Sequence, residues 1–309
     1  MNVVVLRDVV KRYGKLPALD GLSLAIPRGS ACAVIGPNGS GKTTMFAVIA
    51  GLLSASSGEV ELFGEGPFDA RRHSGRLGLM PQDSAPSPHA SLLQSLCYYA
   101  ELSGLTPEAA QREADAWLGR MRLGDRARAR PGELSHGMRR RFSVAQAFLG
   151  SPEIVLLDEP TAGLDPELVA EMRGLFMERR GQTTLLISSH VLSELEDVCD
   201  YAVFLEQGRL VRQGAMRQLL QADTLVRLKL TREPDLAALR ERVGALDVRW
   251  AAPTLDVRLR GDVPIDAANA KLLGELLEQK VGILGLEAGQ SLEASYLATR
   301  REERGRGEG

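Results

Sequence analysis

A glycine-rich stretch follows the predicted buried strand Ala31–Gly36 and reads Gly36-Pro37-Asn38-Gly39-Ser40-Gly41-Lys42-Thr43-Thr44. Its glycines allow backbone N–H groups to curl around phosphate oxygens, and the helix predicted after it adds partial positive charge at its N-terminus. Lys42 is placed to bridge the β- and γ-phosphates of a nucleotide, and the Thr43 hydroxyl is placed to ligate magnesium. A strand, this spacing and a helix in that order predict a nucleotide-binding loop.

Two adjacent carboxylates, Asp158 and Glu159, lie at the end of a second apolar strand, Ile154–Asp158. Ligands gather at the carboxyl ends of parallel strands, so we expect both side chains near the glycine-rich loop. The two acids need different tasks. We predict that Asp158 holds magnesium through water and that Glu159 polarises a water aimed at the γ-phosphate.

Short aliphatic runs alternate with longer helical patterns to about residue 220, which predicts a largely parallel sheet covered by helices. Another buried strand is predicted over Thr183–Ser188. Residues 89–150 are mostly helical in pattern, and Ser91-Leu92-Leu93-Gln94 forms a capping box for a helix that continues toward Leu102. We predict a first domain over residues 1–218, with a helical subdomain at about 84–150.

The pattern changes after Gly214 and predicts a smaller α+β domain over residues 224–309. Its elements follow the order β-α-β-β-α-β, which is the ferredoxin-like arrangement. They are Val226–Leu230, a helix near Asp235–Val243, Asp247–Ala251, Leu255–Arg260, a helix near Asp266–Gln279, and Ile283–Glu287. A last helical stretch is predicted from Ser291, and residues 300–309 are expected to fray. No site motif accompanies this topology, so no function follows from it.

Composition argues against several classes of protein. The 309 residues include 38 Lys and Arg against 40 Asp and Glu, so no basic excess favours nucleic acid as a partner. Apolar runs such as Ala47–Leu53 are shorter than the ~20 residues of a membrane-spanning helix. No basic stretch precedes a long apolar core at the amino end, so we expect no secretory signal and a cytosolic location. The three cysteines lack the spacing of a zinc site or a disulfide framework.

Further motifs occur in the order found in the ATP-binding subunits of ABC transporters, and residues 1–215 resemble that family. Tyr13 resembles the aromatic residue on which family members stack adenine. Gln82, in Met80-Pro81-Gln82-Asp83, resembles the glutamine that senses magnesium and the transmembrane partner. Ala162-Gly163-Leu164-Asp165 resembles the family's D-loop, and His190 occupies the place of its switch histidine, which hydrogen-bonds the γ-phosphate.

The family signature, usually Leu-Ser-Gly-Gly-Gln, is matched in part by Leu134-Ser135-His136-Gly137-Met138. Ser135 and Gly137, the positions expected to touch a γ-phosphate, are kept, while His136 and Met138 replace a glycine and a glutamine. Such Ser-x-Gly-Met variants are familiar in ABC-2-type exporters, which the chain therefore resembles more narrowly. We expect a surface role for His136.

The resemblance implies a P-loop NTPase core of ABC type, an ATPase activity, and ATP and Mg²⁺ as cofactors. The implied nucleotide-binding residues are Tyr13, Gly36, Pro37, Asn38, Gly39, Ser40, Gly41, Lys42, Thr43, Thr44, Ser135, Gly137 and Asp165. The implied metal ligands are Thr43, Gln82 and Asp158, and the catalytic residues are Lys42, Gln82, Glu159 and His190.

The resemblance also implies partners. Two copies would dimerise head to tail, each ATP lying between the phosphate loop of one copy and Ser135 and Gly137 of the other. Hydrolysis would then drive a separate transmembrane permease, and the chain would be peripheral to the cytoplasmic face of the inner membrane. The helical subdomain and the Gln82 loop would receive a short permease helix.

Several alternatives stay open at this point. Export is favoured over the ATPase subunit of an importer with a ligand-sensing C-terminal domain, over a soluble ABC ATPase outside transport, and over a module that holds ATP without useful turnover. The C-terminal domain could stabilise the dimer, bind a small regulatory ligand or contact the permease, and we favour the first. The arginines between Arg120 and Arg141 are expected on a solvated helix surface, with a permease loop or anionic lipid as the alternative contact.

Overall fold

The computed structural model describes residues 1–82, 87–189, 193–220, 224–259 and 265–289. The chain divides between Gln213 and Gly214 into two units with separate cores. Among the described ranges, no helix combines the length and the apolar composition needed to cross a bilayer.

Two sheets build the first unit. Its strands are β1 (Asn2–Tyr13), β2 (Leu16–Pro27), β3 (Ala31–Ile35), β4 (Ser57–Leu62), β5 (Leu77–Met80), β6 (Ile154–Asp158), β7 (Thr184–Ser188), β8 (Tyr201–Glu206) and β9 (Arg209–Ala215). A three-stranded antiparallel sheet has the order β2-β1-β4, and a six-stranded sheet has the order β5-β6-β7-β3-β8-β9. In the larger sheet, the neighbours from β5 through β8 pair in parallel.

The burial of the three central strands explains why their sequences are almost entirely apolar. Every residue of β3, β6 and β7 is buried, and strands buried on both faces are apolar throughout instead of alternating. The predicted strand over Ile154–Asp158 is confirmed, and the predictions at β3 and β7 are confirmed to within one residue at an end. All three strands run in the same direction, so their carboxyl ends lie at one edge of the sheet.

Helices connect these strands. They are α1 (Lys42–Ile49), α2 (Leu92–Leu102), α3 (Pro107–Arg120), α4 (His136–Ala147), α5 (Pro166–Arg179) and α6 (Ser193–Glu196), whereas α7 (Met216–Leu220) follows β9 at the start of the second unit. The capping box predicted at α2 is present: the Ser91 hydroxyl accepts the Gln94 N–H, and the Gln94 side chain accepts the Ser91 N–H. The mostly helical pattern predicted before β6 corresponds to α2, α3 and α4.

The expectation of a solvated arginine surface in this region is wrong for Arg140, and Arg141 is only partly exposed. Arg140 is 8% exposed, and its Nη1 donates to the carbonyl of Gln82 at 2.8 Å. Arg141 donates to the carbonyl of Met121 at 2.7 Å. An amphipathic helix buries one face, so three consecutive arginines cannot all point to solvent, and a guanidinium has enough donors to satisfy carbonyls at loop ends.

The second unit has a ferredoxin-like fold. Its elements are β10 (Thr224–Leu230), α8 (Leu236–Val243), β11 (Asp247–Ala251), β12 (Thr254–Leu259), α9 (Ile265–Glu278) and β13 (Ile283–Gly289). The sheet order is β11-β12-β10-β13 and every pairing is antiparallel. This matches the predicted β-α-β-β-α-β order, because α8 and α9 have an apolar face with helical spacing and the strands alternate. The stretch predicted from Ser291 and the end at 300–309 lie outside the described residues.

Candidate functional site

The glycine-rich loop joins β3 to α1 at the carboxyl edge of the central sheet. At two of its glycine positions, a residue with a side chain would not fit. A Cβ on Gly36 would lie 2.3 Å from the carbonyl oxygen of Leu205, and one on Gly41 would lie 2.6 Å from that of Ala18. Gly41 also has φ +103°, in the left-handed region that side chains disfavour. Neighbouring strands therefore press against both ends of the loop and fix its curvature.

Lys42 is folded back over this loop. Its Nζ donates to the carbonyl of Gly36 at 2.7 Å and to that of Pro37 at 3.2 Å, and the residue is 7% exposed. Burial lowers the pKa of Lys42, and the carboxylates of Glu159 and Asp158 offset that effect in part. Such an ammonium gains from an anionic ligand, because phosphate oxygens would replace neutral carbonyls as its acceptors.

Asp158 is the buried carboxylate of the site, with 2% exposure. The Thr43 hydroxyl donates to its Oδ2 at 2.7 Å, and the Ser188 hydroxyl donates to its Oδ1 at 2.5 Å. The structure therefore brings the predicted residues Thr43 and Asp158 together, although they are far apart in sequence. A charged carboxylate held by two hydroxyl donors is a strong and oriented arrangement.

Glu159 follows with an unusual backbone. It has φ +53°, its N–H donates to the Ser188 hydroxyl at 2.9 Å, and its carbonyl accepts the Ala162 N–H at 3.2 Å. A left-handed conformation at a non-glycine residue costs about 1–2 kcal/mol. The turn directs the chain away from β6, so Glu159 faces the cleft beside Asp158 instead of continuing the strand.

A cleft of about 610 Å³ lies over these groups. The residues that line it are Ala18, Asn38, Gly39, Ser40, Gly41, Lys42, Thr43, Thr44, Gln82, Asp158 and Glu159. Gly36 and Pro37 lie beneath it as acceptors for Lys42. Tyr13, the predicted adenine platform, is 54% exposed on β1 and is not among the lining residues in the described part of the chain. Lys11 Nζ lies 5.7 Å from the centroid of its ring.

Ser135, Gly137 and Asp165 lie apart from this cleft in the described structure. Ser135 caps α4 by accepting the Met138 N–H at 3.2 Å, and Asp165 caps α5 by accepting the Leu168 N–H at 3.0 Å. The loops that carry them touch. A Cβ built on Gly163 would lie 3.1 Å from His136 Nδ1, and one on Gly137 would lie 3.4 Å from Leu164 Cδ2. One chain thus presents these residues as a second, separate group.

Gln82 connects the two groups through its backbone. Its carbonyl accepts from Arg140 on α4, the helix that Ser135 caps, while the residue itself lines the cleft. A change in the position of Gln82 would therefore alter the position of α4. His190, the remaining predicted residue, lies outside the described residues.

Three residues of the site were not identified from the sequence: Ser188, Ala18 and Gly208. Ser188 had a readable signal, because it is a hydroxyl that ends an apolar strand beside the strand of Asp158. Ala18 and Gly208 had none. Gly208 has φ +76°, a Cβ there would lie 2.6 Å from the Ala18 carbonyl, and its N–H donates to the Ser40 carbonyl at 3.0 Å. These contacts come from β2 and from the turn between β8 and β9, both outside the loop and its helix.

The groups present fit a nucleotide and magnesium. The buried Ser40 hydroxyl has no hydrogen-bond partner among the described residues, and it lines the cleft with Lys42. Thr43 and Asp158 offer oxygen donors, which Mg²⁺ prefers. The described residues contain no cluster of three or more His, Cys, Asp or Glu side chains able to hold a metal. Mg²⁺ is commonly held by one or two carboxylates together with substrate phosphates, so this sparse set is sufficient.

Comparisons with known proteins agree with this geometry. The family model described as ABC transporter matches residues 19–162. The Nod factor export ATP-binding protein I of Burkholderia orbicola is 35% identical over 246 residues, covering 77% of this chain and 79% of that protein. The protein of the same name from Burkholderia thailandensis is 32% identical over 298 residues and covers 94% of each chain.

Solved structures give the same result. A structure titled as the ATP binding subunit of an ABC transporter superposes with a TM-score of 0.63 at 26% identity, covering 70% of this chain and 91% of that one. The Burkholderia thailandensis relative extends across nearly the whole chain, so its similarity includes the second unit as well as the nucleotide-site unit.

Proposed function

The chain belongs to the ATP-binding subunits of ABC transporters, and on that basis we propose how this ATPase works and with which partners. The proposal is that two copies close around two Mg-ATP and that hydrolysis drives a separate transmembrane permease in export. Export is supported over import by relatives named for export, at up to 35% identity. The observation that carries the mechanism is the arrangement of Lys42, Thr43, Asp158 and Glu159 around one cleft.

Lys42 binds the phosphate chain. Its ammonium donates to two loop carbonyls in the described structure, and the β- and γ-phosphates would take their place. The backbone N–H groups of Gly39 and of residues 41–44, at the N-terminus of α1, would add donors around the same oxygens. The orphaned Ser40 hydroxyl supplies a further donor on this wall.

Thr43 and Asp158 would hold magnesium together with Gln82, which also lines the cleft. A hydroxyl that donates its proton to Asp158 keeps lone pairs for a cation, so the bond between Thr43 and Asp158 is compatible with metal binding. Mg²⁺ held there would neutralise negative charge that develops on the phosphates during hydrolysis. Asp158 keeps its orientation throughout because both of its oxygens accept hydroxyls.

Glu159 would act as the general base. It lines the cleft with Asp158, and its backbone turns in the left-handed region directly after β6. We assign it the proton of the attacking water, and we assign His190 the hydrogen bond to the γ-phosphate. Tyr13, on β1, would stack on adenine once nucleotide is bound.

The second group of residues would complete the site of another copy. Ser135 and Gly137 lie outside the cleft of their own chain, and they have the residue types that contact a γ-phosphate from a helix N-terminus. Head-to-tail pairing of two copies would place each ATP between both groups, with Asp165 at the same interface. Loss of the γ-phosphate would remove the shared contact and open the pair.

The permease would be a separate membrane protein that receives these motions. The link from Gln82 through Arg140 to α4 supplies a physical connection between the cleft and the helical subdomain at about 84–150. We place the chain at the cytoplasmic face of the inner membrane, as a peripheral subunit. For the second unit we propose stabilisation of the dimer.

The test is the variant Glu159→Gln, because an amide fills the same space and cannot accept a proton. We expect hydrolysis to fall by about 10²-fold or more with ATP binding retained. Phosphate release and the mass of the protein in Mg-ATP are the measurements, and the variant should accumulate as a dimer. Normal turnover would remove Glu159 from the base role, and a monomer at saturating Mg-ATP would contradict the paired site. Recovery of an integral membrane protein with the wild-type chain tests the permease.

A further inference from the structure

Ser188 is a hydroxyl at the end of a fully buried strand. It is the last residue of β7, is 0% exposed, and follows Leu185, Leu186 and Ile187, which are all apolar. Its register partner on the neighbouring strand β6 is Asp158. A hydroxyl is unfavourable in such a position unless hydrogen bonds satisfy it, so its partners explain why it is tolerated.

Both capacities of this hydroxyl are used within the site. It donates to Asp158 Oδ1 at 2.5 Å and accepts the Glu159 N–H at 2.9 Å. A short O–H···O⁻ hydrogen bond of this kind is among the strongest that neutral donors make. Ser188 therefore connects the side chain of one proposed functional residue to the backbone of the next.

The two hydrogen bonds of Ser188 restrict different motions, one of a side chain and one of the backbone. Rotation of the Asp158 carboxylate is limited because the Thr43 hydroxyl holds Oδ2 at 2.7 Å while Ser188 holds Oδ1. The left-handed backbone of Glu159, with φ +53°, is held from both sides by its N–H bond to Ser188 and by the Ala162 N–H at its carbonyl. Without the Ser188 hydroxyl, Asp158 Oδ1 loses a donor and the Glu159 N–H loses an acceptor at the same time.

We propose that Ser188 is a positioning residue for ATP hydrolysis, whose hydroxyl fixes Asp158 and Glu159 relative to each other. The inference rests on the proposed function of those two carboxylates. Ser188 touches neither substrate nor water in this scheme. It acts by keeping the group that holds magnesium and the group that takes the proton at a constant separation, which an alanine at this position would not do.

Ser188→Ala is the test, and Thr184→Val is its matched control. Thr184 begins the same strand, is 1% exposed, and its hydroxyl accepts the Gly29 N–H at 2.9 Å, far from the cleft along β7. Both substitutions remove a buried hydroxyl that accepts a backbone N–H. Both should therefore lower the melting temperature, Ser188→Ala by more because it also loses the donor to Asp158, so hydrolysis is compared at a temperature where both variants are fully folded.

In Ser188→Ala we expect kcat to fall by about tenfold or more and the half-saturating Mg²⁺ concentration to rise by about tenfold. The gain in melting temperature when MgCl₂ is added to the ADP-bound protein should shrink as well, and this readout does not depend on turnover. The dissociation constant for ADP without Mg²⁺ should stay within about twofold, because Lys42 and the loop are untouched. Ser188→Thr, which keeps the hydroxyl, should restore all three values toward wild type.

Equal behaviour of Ser188→Ala and Thr184→Val in kcat and in both Mg²⁺ readouts would overturn the proposal and leave Ser188 a packing residue. Should Ser188→Ala fail to fold, Ser188→Cys takes its place under the same criteria, since a thiol is a weak donor of similar size. A wild-type protein that binds Mg-ATP without hydrolysing it would instead reject the proposed function. The Mg²⁺-dependent melting of Ser188→Ala would then still decide whether Ser188 positions Asp158.

Discussion

The two units of the chain use a buried and a partly exposed carboxylate in different ways. In the first unit, Asp158 is 2% exposed and accepts two hydroxyls at the carboxyl edge of a parallel sheet. In the second unit, Asp256 lies on an antiparallel sheet and forms a bidentate pair with Arg227, at 2.8 and 3.1 Å. Parallel strands collect their carboxyl ends at one edge, whereas antiparallel strands send alternate ends to opposite edges. Strand direction therefore decides whether polar strand ends can meet.

The second sheet shows the alternative use of charge. Register places Arg227, Asp256 and Arg249 side by side on β10, β12 and β11, with one apolar face of the same strands packed on α8 and α9. Opposite charges across neighbouring strands stabilise a sheet modestly. Such a ladder needs no ligand, which is why ferredoxin-like topology by itself assigns no activity to this unit.

The largest expected difference comes from making one change in both units, aspartate to asparagine. Asp158→Asn should lower ATP hydrolysis by about 10²-fold or more, because a neutral amide binds magnesium poorly. Its NH₂ group also cannot accept a hydrogen bond from one of the two hydroxyls that donate to Asp158. Asp256→Asn should leave hydrolysis unchanged and lower stability by less than about 1 kcal/mol, as expected for a partly exposed ion pair. Phosphate release and chemical denaturation measure the two effects.

A common effect of both substitutions on hydrolysis would break the contrast between the units. The control for folding is the denaturation midpoint of Asp158→Asn, which should stay high enough to keep the protein native during the assay. A large loss of hydrolysis in Asp256→Asn with normal stability would show that the second unit takes part in turnover, and the assignment of its charges to structure would be wrong.

Much of this contrast could be predicted from sequence. The strand, glycine-rich loop and helix at residues 31–49 are local, because spacing and glycine content specify them without distant partners. The β-α-β-β-α-β order of the second unit followed from alternating and helical periodicities, which are also local. The strand order in the first unit and the hydrogen bond between Thr43 and Asp158 were not predicted, because they depend on which distant strands become neighbours. The rule that ligands gather at the carboxyl ends of parallel strands predicted only that Asp158 lies near the loop.

The parts that sequence could not give are contacts between distant segments. Ala18 on β2 and Gly208 in the turn after β8 contact the loop, and no local sequence pattern connects them to it. The burial of Arg140 depends on the loop at Gln82, and a run of three arginines read alone predicts solvent. The left-handed conformation of Glu159 could not be predicted from the sequence either, because glutamate rarely adopts this conformation. The hydrogen bonds that stabilise it come from Ser188 and Ala162.

A second comparison lies inside the first unit, between the cleft and the separate group at Ser135. Ser135→Arg should abolish closure of two copies by placing a long cation where a γ-phosphate is proposed, and hydrolysis should fall by at least about tenfold. Nucleotide binding to each monomer should stay within about twofold, because Ser135 does not line its own cleft. Phosphate release and equilibrium nucleotide titration at low protein concentration are the measurements.

Thr106→Arg is the control for this change. Thr106 caps α3 by accepting the Ala109 N–H at 3.3 Å, so its replacement removes a helix cap and adds the same charge on the same unit. Each substitution should cost about 1 kcal/mol of stability through the lost cap. Full hydrolysis in Ser135→Arg would refute the shared site, and equal losses in both variants would trace the effect to stability or charge instead of closure.

The smallest predicted effect concerns the proton on Lys42. Burial lowers the pKa of Lys42 in the nucleotide-free protein, and phosphate oxygens beside the ammonium should raise it again. At pH values between the lower pKa of the free protein and the higher pKa of the complex, Lys42 must therefore take up a proton when nucleotide binds. Affinity should be independent of pH below the free-protein pKa and should fall as pH rises through the pKa of the complex. Calorimetric titration with ADP in alkaline buffers of different ionisation enthalpy measures this uptake as less than one proton per nucleotide. Lys229→Arg, an exposed change in the second unit, should leave the uptake unaltered, whereas heats that do not depend on the buffer would show that Lys42 does not meet the phosphates.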